Sequence, residues 1–230
     1  MNWDVKLDMK WCNEIINYEQ KKIAAKRVAA IAKNGDIIGF GSGSTSYLTA
    51  LEIGERVKRE GLNVLAIPTS SEITMACYDL GIPIVSLNNV RPDWYFDGAD
   101  EVDKYHNLIK GRGGCMFMEK LIMKCSPKTY IAVDNTKFVE KLGTNFSIPI
   151  EINPNALIYV KKELNELGSS EISLRLAKAK DGPVITENAN FILDVKFKEI
   201  YPKLENDIKL VTGVIESGLF LGYNIEVVTI

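Results

Sequence analysis

The sequence predicts an α/β protein, an open and largely parallel sheet with helices on both faces, carrying a small α+β lid subdomain. Short apolar runs alternate with longer segments of helical spacing, which is the pattern of consecutive βαβ units. Polar and glycine-rich motifs sit just after those runs, at the strand ends where such sheets bind ligands. After about Phe146 the alternation gives way to two or three strands with two helices. The expected division is residues 1–146 and 209–230 for the α/β domain and 147–208 for the lid.

The first helix is expected from about Ile15 to Lys33, with Ile16, Ile23, Ala24, Val28 and Ile31 on its apolar face and Asn34-Gly35 as its stop. Asp36 to Phe40 is the first strand, Gly41 to Thr45 its turn, and a helix from about Ser46 to Glu60 follows. Asn63 to Ile67 is a strand, and a helix then runs from Thr69-Ser70-Ser71 to Gly81. Ile82 to Leu87, Trp94 to Phe96 and Lys128 to Val133 are further strand candidates, and a helix is expected over Cys115 to Met123. In the lid, Ser147 to Ile152, Glu171 to Leu176 and Asn190 to Val195 read as strands, Ala156 to Leu167 and Phe197 to Asn206 as helices. Lys209 to Val214 and Asn224 to Val228 are expected to return to the main sheet, which is Rossmann-like in outline.

With 230 residues, 46% of them hydrophobic and 25% charged, the chain has the composition of a globular protein with a proper core. A formal charge of −2 argues against a nucleic-acid partner, which calls for a basic stripe. Cys12, Cys77, Cys115 and Cys125 show no C-x-x-C spacing, and His106 is the single histidine, so the common zinc patterns are absent. Free thiols, no hydrophobic signal core and no run long enough for a membrane span point to the cytoplasm.

The chemistry concentrates between Asp97 and Glu119. Asp97, Asp100 and Glu101 bring three carboxylates into five residues, with Gly98 and Ala99 leaving the backbone room to turn. A solvated acidic turn would look similar. Lys110, however, leads into the glycine-rich turn Gly111-Arg112-Gly113-Gly114, and Glu119 falls in the first turns of the next helix. There the unpaired N–H groups favour negative charge. One lysine and several carboxylates at element ends suit proton transfer beside a developing oxyanion. His106 lies in no recognisable triad spacing, so a carboxylate is the expected base.

Gly41-Ser42-Gly43-Ser44-Thr45 offers backbone N–H groups, hydroxyls and a helix N-terminus to an anion. It is neither a P-loop, lacking G-K-[ST], nor a dinucleotide fingerprint, since Ser46 holds the third glycine position. It reads either as a serine-rich helix cap or as a monophosphate site assisted by Ser70 and Thr74. Asp134-Asn135-Thr136-Lys137 brings a cation after a neighbouring strand.

Taken in order, these motifs resemble the ribose-5-phosphate isomerase type A family. The resemblance also takes in Val184 to Asn190 and Gly213 to Phe220, and covers about nine-tenths of the chain. It implies interconversion of ribose 5-phosphate and ribulose 5-phosphate through a cis-enediol, a step of the non-oxidative pentose phosphate pathway, with no metal or organic cofactor. It implies Glu119 as the base between C1 and C2. Lys110 and Asp97 would stabilise and protonate the enediolate oxygens, and Asp100 would orient the opened sugar. The loop Gly41, Ser42, Gly43, Ser44 and Thr45, with Ser70, Lys137 and Lys21, would hold the phosphate, and Gly111 and Gly113 would line the substrate. Family members are usually homodimers or homotetramers.

Arg112 departs from the family, which often has glycine there. Trp3 and Trp11 precede the matching region and would pack either on a partner subunit or on the core edge. Two other functions stand beside the isomerase. A sugar-phosphate sensor of the same fold would keep binding without catalysis, and the joint presence of Asp97, Asp100, Lys110 and Glu119 discriminates against it. An isomerase of another phosphorylated aldose is the second.

Overall fold

A computed structural model describes residue 11 and residues 14–230; Trp3 and Cys12 lie outside them. In chain order its elements are α1 (Tyr18–Ala29), β1 (Ile37–Phe40), α2 (Ser44–Glu60), β2 (Leu65–Pro68), α3 (Ser71–Leu80), β3 (Trp94–Asp97), β4 (Glu101–Val102), β5 (Leu108–Ile109), α4 (Met116–Cys125) and β6 (Thr129–Ala132). They continue with β7 (Ile148–Ile152), α5 (Leu157–Glu166), β8 (Ser169–Leu174), β9 (Phe191–Phe197), α6 (Leu204–Leu210), β10 (Val214–Ser217), β11 (Leu219–Phe220) and β12 (Glu226–Val228). No described helix is long and apolar enough to cross a membrane.

The described chain divides into two compact units, one holding residues through Gly98 with Met118–Thr136 and Asn224–Ile230, the other Ala99–Phe117 with Lys137–Tyr223. The first contains a five-stranded sheet of order β12-β6-β3-β1-β2, parallel at every pairing. From β1 the chain crosses to β2 on one side and then returns to β3 on the other. The C-terminal ends of β1 and β3 therefore form a topological switch point, where loops diverge and ligands bind in open α/β sheets.

The strand residues are apolar and largely buried because a parallel sheet is covered rather than half-solvated. Phe40 and Phe96 meet edge-on with centroids 4.9 Å apart, and Trp94 crosses Tyr130 at 5.6 Å, favourable aromatic geometries that add to area burial. In α1 the buried face is Ala24, Ala25, Val28 and Ala29, whereas the predicted Ile16 and Ile23 are exposed. Small alanines let α1 approach its neighbours where isoleucines would not fit. Ile82 to Leu87 forms only an isolated bridge from Ile84 to Ala66 rather than the expected strand, since Pro83 has no N–H to give a ladder. Trp11 stacks on Tyr47 at 5.2 Å within this unit.

The second unit holds a four-stranded antiparallel sheet, β10-β7-β9-β8, and a three-stranded one, β11-β5-β4. Ile148, Ile150 and Ile152 of β7 pack with Leu193 and Val195 of β9 and with Val160, Leu164, Leu204 and Ile208 from α5 and α6. Two expectations change here. The helix placed over Phe197 to Asn206 begins only at Leu204, and β9 runs through Phe197; Pro202 disfavours helix at the residue before it. Lys209 to Val214 does not return to the parallel sheet. α6 extends through Leu210, and β10 joins β7 in the antiparallel sheet. The unit also reaches beyond 147–208, because β4 and β5 pair with β11 and Val139 donates to the Val102 carbonyl at 2.9 Å.

Candidate active site

In the first unit the site is built at the ends of β1 and β3. The Gly41 N–H donates to the Phe96 carbonyl at 2.8 Å. A Cβ on Gly41 would lie 2.3 Å from the Asp97 carboxyl carbon, so only glycine lets the loop pass this acid. Ser42 shares a 2.6 Å hydrogen bond with Thr69, whose N–H and hydroxyl both donate to the Phe40 carbonyl. The loop is thereby tied to the following strand end. Gly43, at φ +88°, supplies no side-chain cap to α2, so the first-turn N–H groups of that helix have no such acceptor. The buried Lys21 donates its ammonium to the Ser44 hydroxyl at 3.0 Å, putting a cation of α1 on the loop.

Asp97 is fully buried. Its Oδ1 accepts from the Ser46 hydroxyl at 3.0 Å and the Gly98 N–H at 2.7 Å, and its Oδ2 accepts from the Tyr95 hydroxyl. Residues two apart on a strand share a face, which is why Tyr95 reaches it. Ser46 occupies the position that disqualified a dinucleotide loop, and here it joins that loop to the acid. Neither Ser46 nor Tyr95 was visible as a site residue, because nothing in their local sequence points to Asp97.

Glu119 lies buried in the first turn of α4. Ser70 caps α3 by accepting from the Ile73 N–H at 3.3 Å, and the Thr74 hydroxyl donates back to the Ser70 carbonyl. Thr74 is thus engaged within its helix, while Ser70 keeps a hydroxyl proton to donate. Asp134 is buried and its Oδ1 accepts from the Thr136 N–H and hydroxyl and from Asn17; this turn presents the following Lys137 at the end of a short 3₁₀ segment.

In the second unit Asp100 is half-buried and accepts from the Arg112 N–H at 3.3 Å. Burial raises its carboxyl above the usual range, and the charges of Lys110, Lys137 and Arg112 with that hydrogen bond pull it part of the way back. Lys110 is buried, its ammonium 5.9 Å from the Phe220 ring centre. Gly111 turns at φ +94°, and a Cβ there would sit 2.8 Å from Met116. Gly113 is exposed with open space around it.

Arg175 supports this turn from 63 residues away. Its guanidinium donates to the Gly111 and Arg112 carbonyls at 3.2 and 2.8 Å and pairs with Asp194. Such a planar fork holds backbone and carboxylate at once. No sequence signal marked it. Glu101, the third acid of the cluster, is buried as a backbone anchor, accepting from the N–H groups of Gly143, Asn145 and Phe146. His106 is exposed in a turn at φ +62°. Among the described residues no three of His, Cys, Asp and Glu group to hold a metal ion.

Residues 65–230 match the model of the family described as ribose 5-phosphate isomerase A (phosphoriboisomerase A). The chain belongs to the ribose 5-phosphate isomerase A family. A ribose-5-phosphate isomerase A of Synechococcus sp. is 44% identical over 211 residues, spanning 90% of this chain and 89% of the relative. The structure of ribose 5-phosphate isomerase A from Methanocaldococcus jannaschii superposes with a TM-score of 0.89 at 40% identity, covering 93% of this chain and 96% of that one. A D-ribose-5-phosphate isomerase structure in complex with phospho-erythronic acid gives 0.88 at 38%, with 91% and 94% covered. The α/β fold with its parallel five-stranded sheet is thus that of the ribose 5-phosphate isomerase A family.

Proposed function

We propose that this chain interconverts ribose 5-phosphate and ribulose 5-phosphate through an enediolate, with Glu119 as the base. The observation that carries the reading is the family match over residues 65–230, a stretch that contains Asp97, Asp100, Lys110 and Glu119 together. Moving a proton between C1 and C2 requires one group that takes it and returns it. Glu119, a buried acid in a helix's first turn, suits that task. The oxygen that becomes negative needs a cation or acid, supplied by Lys110 and Asp97. Asp100 orients the opened sugar; it follows Asp97 by three residues, so the chain itself keeps the two within about 11 Å.

The phosphate is held by the Gly41, Ser42, Gly43, Ser44 and Thr45 loop with Lys21, Ser70 and Lys137, and Gly111 and Gly113 line the substrate. The binding of phospho-erythronic acid by a relative supports a phosphorylated sugar ligand. Holding the phosphate far from the reacting carbons orients the substrate and contributes to both ground and transition states. The protein is expected to work in the cytoplasm as a homodimer or homotetramer.

The test is conversion of ribose 5-phosphate by the purified, EDTA-treated protein, with Glu119→Gln beside it. Wild-type turnover should survive EDTA, while the variant loses at least about 10²-fold in kcat and binds substrate nearly as before. A variant that binds substrate poorly would end the assignment of Glu119 as a dedicated base. A wild type that binds ribose 5-phosphate without turning it over would favour the sensor.

A further inference from the structure

The four-stranded antiparallel sheet of the second unit has two unlike faces. Leu193 and Val195 of β9 and Ile148, Ile150 and Ile152 of β7 turn into the core. Strand side chains alternate, so Ile192 and Asp194 of β9 and Pro149 and Glu151 of β7 face the other side. The Gly111–Gly114 turn lies against that side. A Cβ on Gly111 would come 3.6 Å from Pro149, and one on Gly114 would come 3.1 Å from Ile192.

Arg175, just after β8, spends its whole guanidinium on joining that face to the turn. Its Nε and Nη2 donate to the two carboxylate oxygens of Asp194, and its Nη1 donates to the Gly111 and Arg112 carbonyls. Asp194 sits within β9, opposite Pro149 on one side and Ser173 on the other, so it fixes the plane of the guanidinium. The main chain of Arg175 is fixed as well. Its N–H donates to the Ile192 carbonyl and its carbonyl accepts from the Val184 N–H, both at 2.9 Å. Val184 opens the stretch that ends at Asn190. Glu151 ties down the end of that stretch, accepting from the Thr186 hydroxyl at 2.7 Å and the Asn190 side-chain amide at 2.9 Å. A glycine-rich turn has little stiffness of its own, and Lys110 leads straight into this one. The Lys110 N–H is held by the Gly218 carbonyl at 2.8 Å, and the next two carbonyls are held by Arg175.

We infer that Arg175 is a positioning residue for Lys110: backed by Asp194, it clamps the two carbonyls that follow Lys110 and so keeps the ammonium in one place. The Val184 to Asn190 stretch then has a task, which is to hold the main chain that carries Arg175. The part of Lys110 in the reaction rests on the isomerase reading; the clamp itself does not. A fixed cation counts most where negative charge develops in the transition state, so loosening it lowers kcat. Phosphate binding, shared by ground and transition states, should not depend on Arg175.

The experiment compares the wild type with Arg175→Lys and Arg175→Ala. It reads kcat and KM for ribose 5-phosphate, Tm, and amide hydrogen exchange in the peptide over residues 108–117. Arg175→Lys is the decisive variant. Its ammonium keeps a charge beside Asp194 but lacks the planar fork that serves a carboxylate and two carbonyls at once. Tm should therefore stay close to the wild-type value while the turn is released. kcat should fall roughly tenfold in Arg175→Lys and about 10²-fold in Arg175→Ala, as small misplacements of catalytic groups do, with KM little changed. The peptide holds the Arg112 and Gly114 amides, which are bonded to Asp100 and to the Gly111 carbonyl. Its exchange should quicken in both variants, while that of β7 and β9 stays as it was. A wild-type kcat in Arg175→Lys, a rise in KM alone, or unchanged exchange in the turn would overturn the clamp. If the wild type fails to isomerise ribose 5-phosphate while the turn of Arg175→Lys exchanges faster, the isomerase reading falls and the clamp stands.

Discussion

Asp100 feels three cations and still has its carboxyl raised, because burial outweighs their combined pull. The sign of its effect on stability follows. An acid whose folded value lies above its unfolded one binds more protons when folded, so stability falls as pH rises through that interval and levels off above it. Asp100→Asn keeps an acceptor for the Arg112 N–H and carries no charge. The difference in Tm, variant minus wild type, should therefore grow in favour of the variant from about pH 4 upward and flatten at higher pH. A difference independent of pH would show that Asp100 is not penalised by folding. At this scale the sequence showed which acids and lysines stand close together along the chain, Asp97, Asp100, Glu101 and Lys110 among them. It could not separate Glu101, which anchors three backbone N–H groups, from Asp97, which is held by Ser46 and Tyr95. Both are buried acids four residues apart in one acidic cluster, and it is their partners that tell them apart. The cysteines divide in the same way. Burial pushes the Cys77 thiol up to about 12, while Cys115 and Cys125 are partly exposed.

Elements place these residues through a few close approaches. Gly218, between β10 and β11, donates its N–H to the Pro149 carbonyl at 2.7 Å and accepts from the Lys110 N–H at 2.8 Å. A Cβ on it would sit 2.0 Å from the Lys110 carbonyl and 2.9 Å from the Pro149 ring. Neither neighbour is a flexible side-chain end, so the strands must shift. Gly218→Ala should cost roughly 1–3 kcal/mol by overpacking and lower kcat by displacing Lys110. Gly113→Ala, with open space and no special φ, should leave Tm unchanged. Equal Tm values for the two variants would mean the strands near Lys110 yield freely. Periodicity found most elements, with α2, β3, β6, α5 and β9 lying close to the expected ranges. It failed where a proline intervened, at Pro83 and Pro202, and at β10, whose apolar residues fit an edge of either sheet.

Across the whole molecule the chain passes between its two units at Gly98, Phe117, Thr136 and Tyr223. The second unit is therefore assembled from two separate segments. β5, from the first of them, pairs with β11 from the second through Ile109–Leu219 and Leu108–Phe220, all four buried. A fragment of residues 137–223 alone leaves Leu219 and Phe220 without that partner. It should give a broad thermal transition by circular dichroism, where a sharp cooperative one would show that 99–117 is dispensable. The chain by itself determined the fold class and the family, because hydrophobic period, turn residues and ordered motifs are local properties read along the sequence. Tertiary structure alone decided where the second unit begins, which sheet receives β10, and that Arg175, Ser46 and Tyr95 support the site. Those outcomes depend on strand pairings and side-chain approaches between segments tens of residues apart, and no local pattern encodes them.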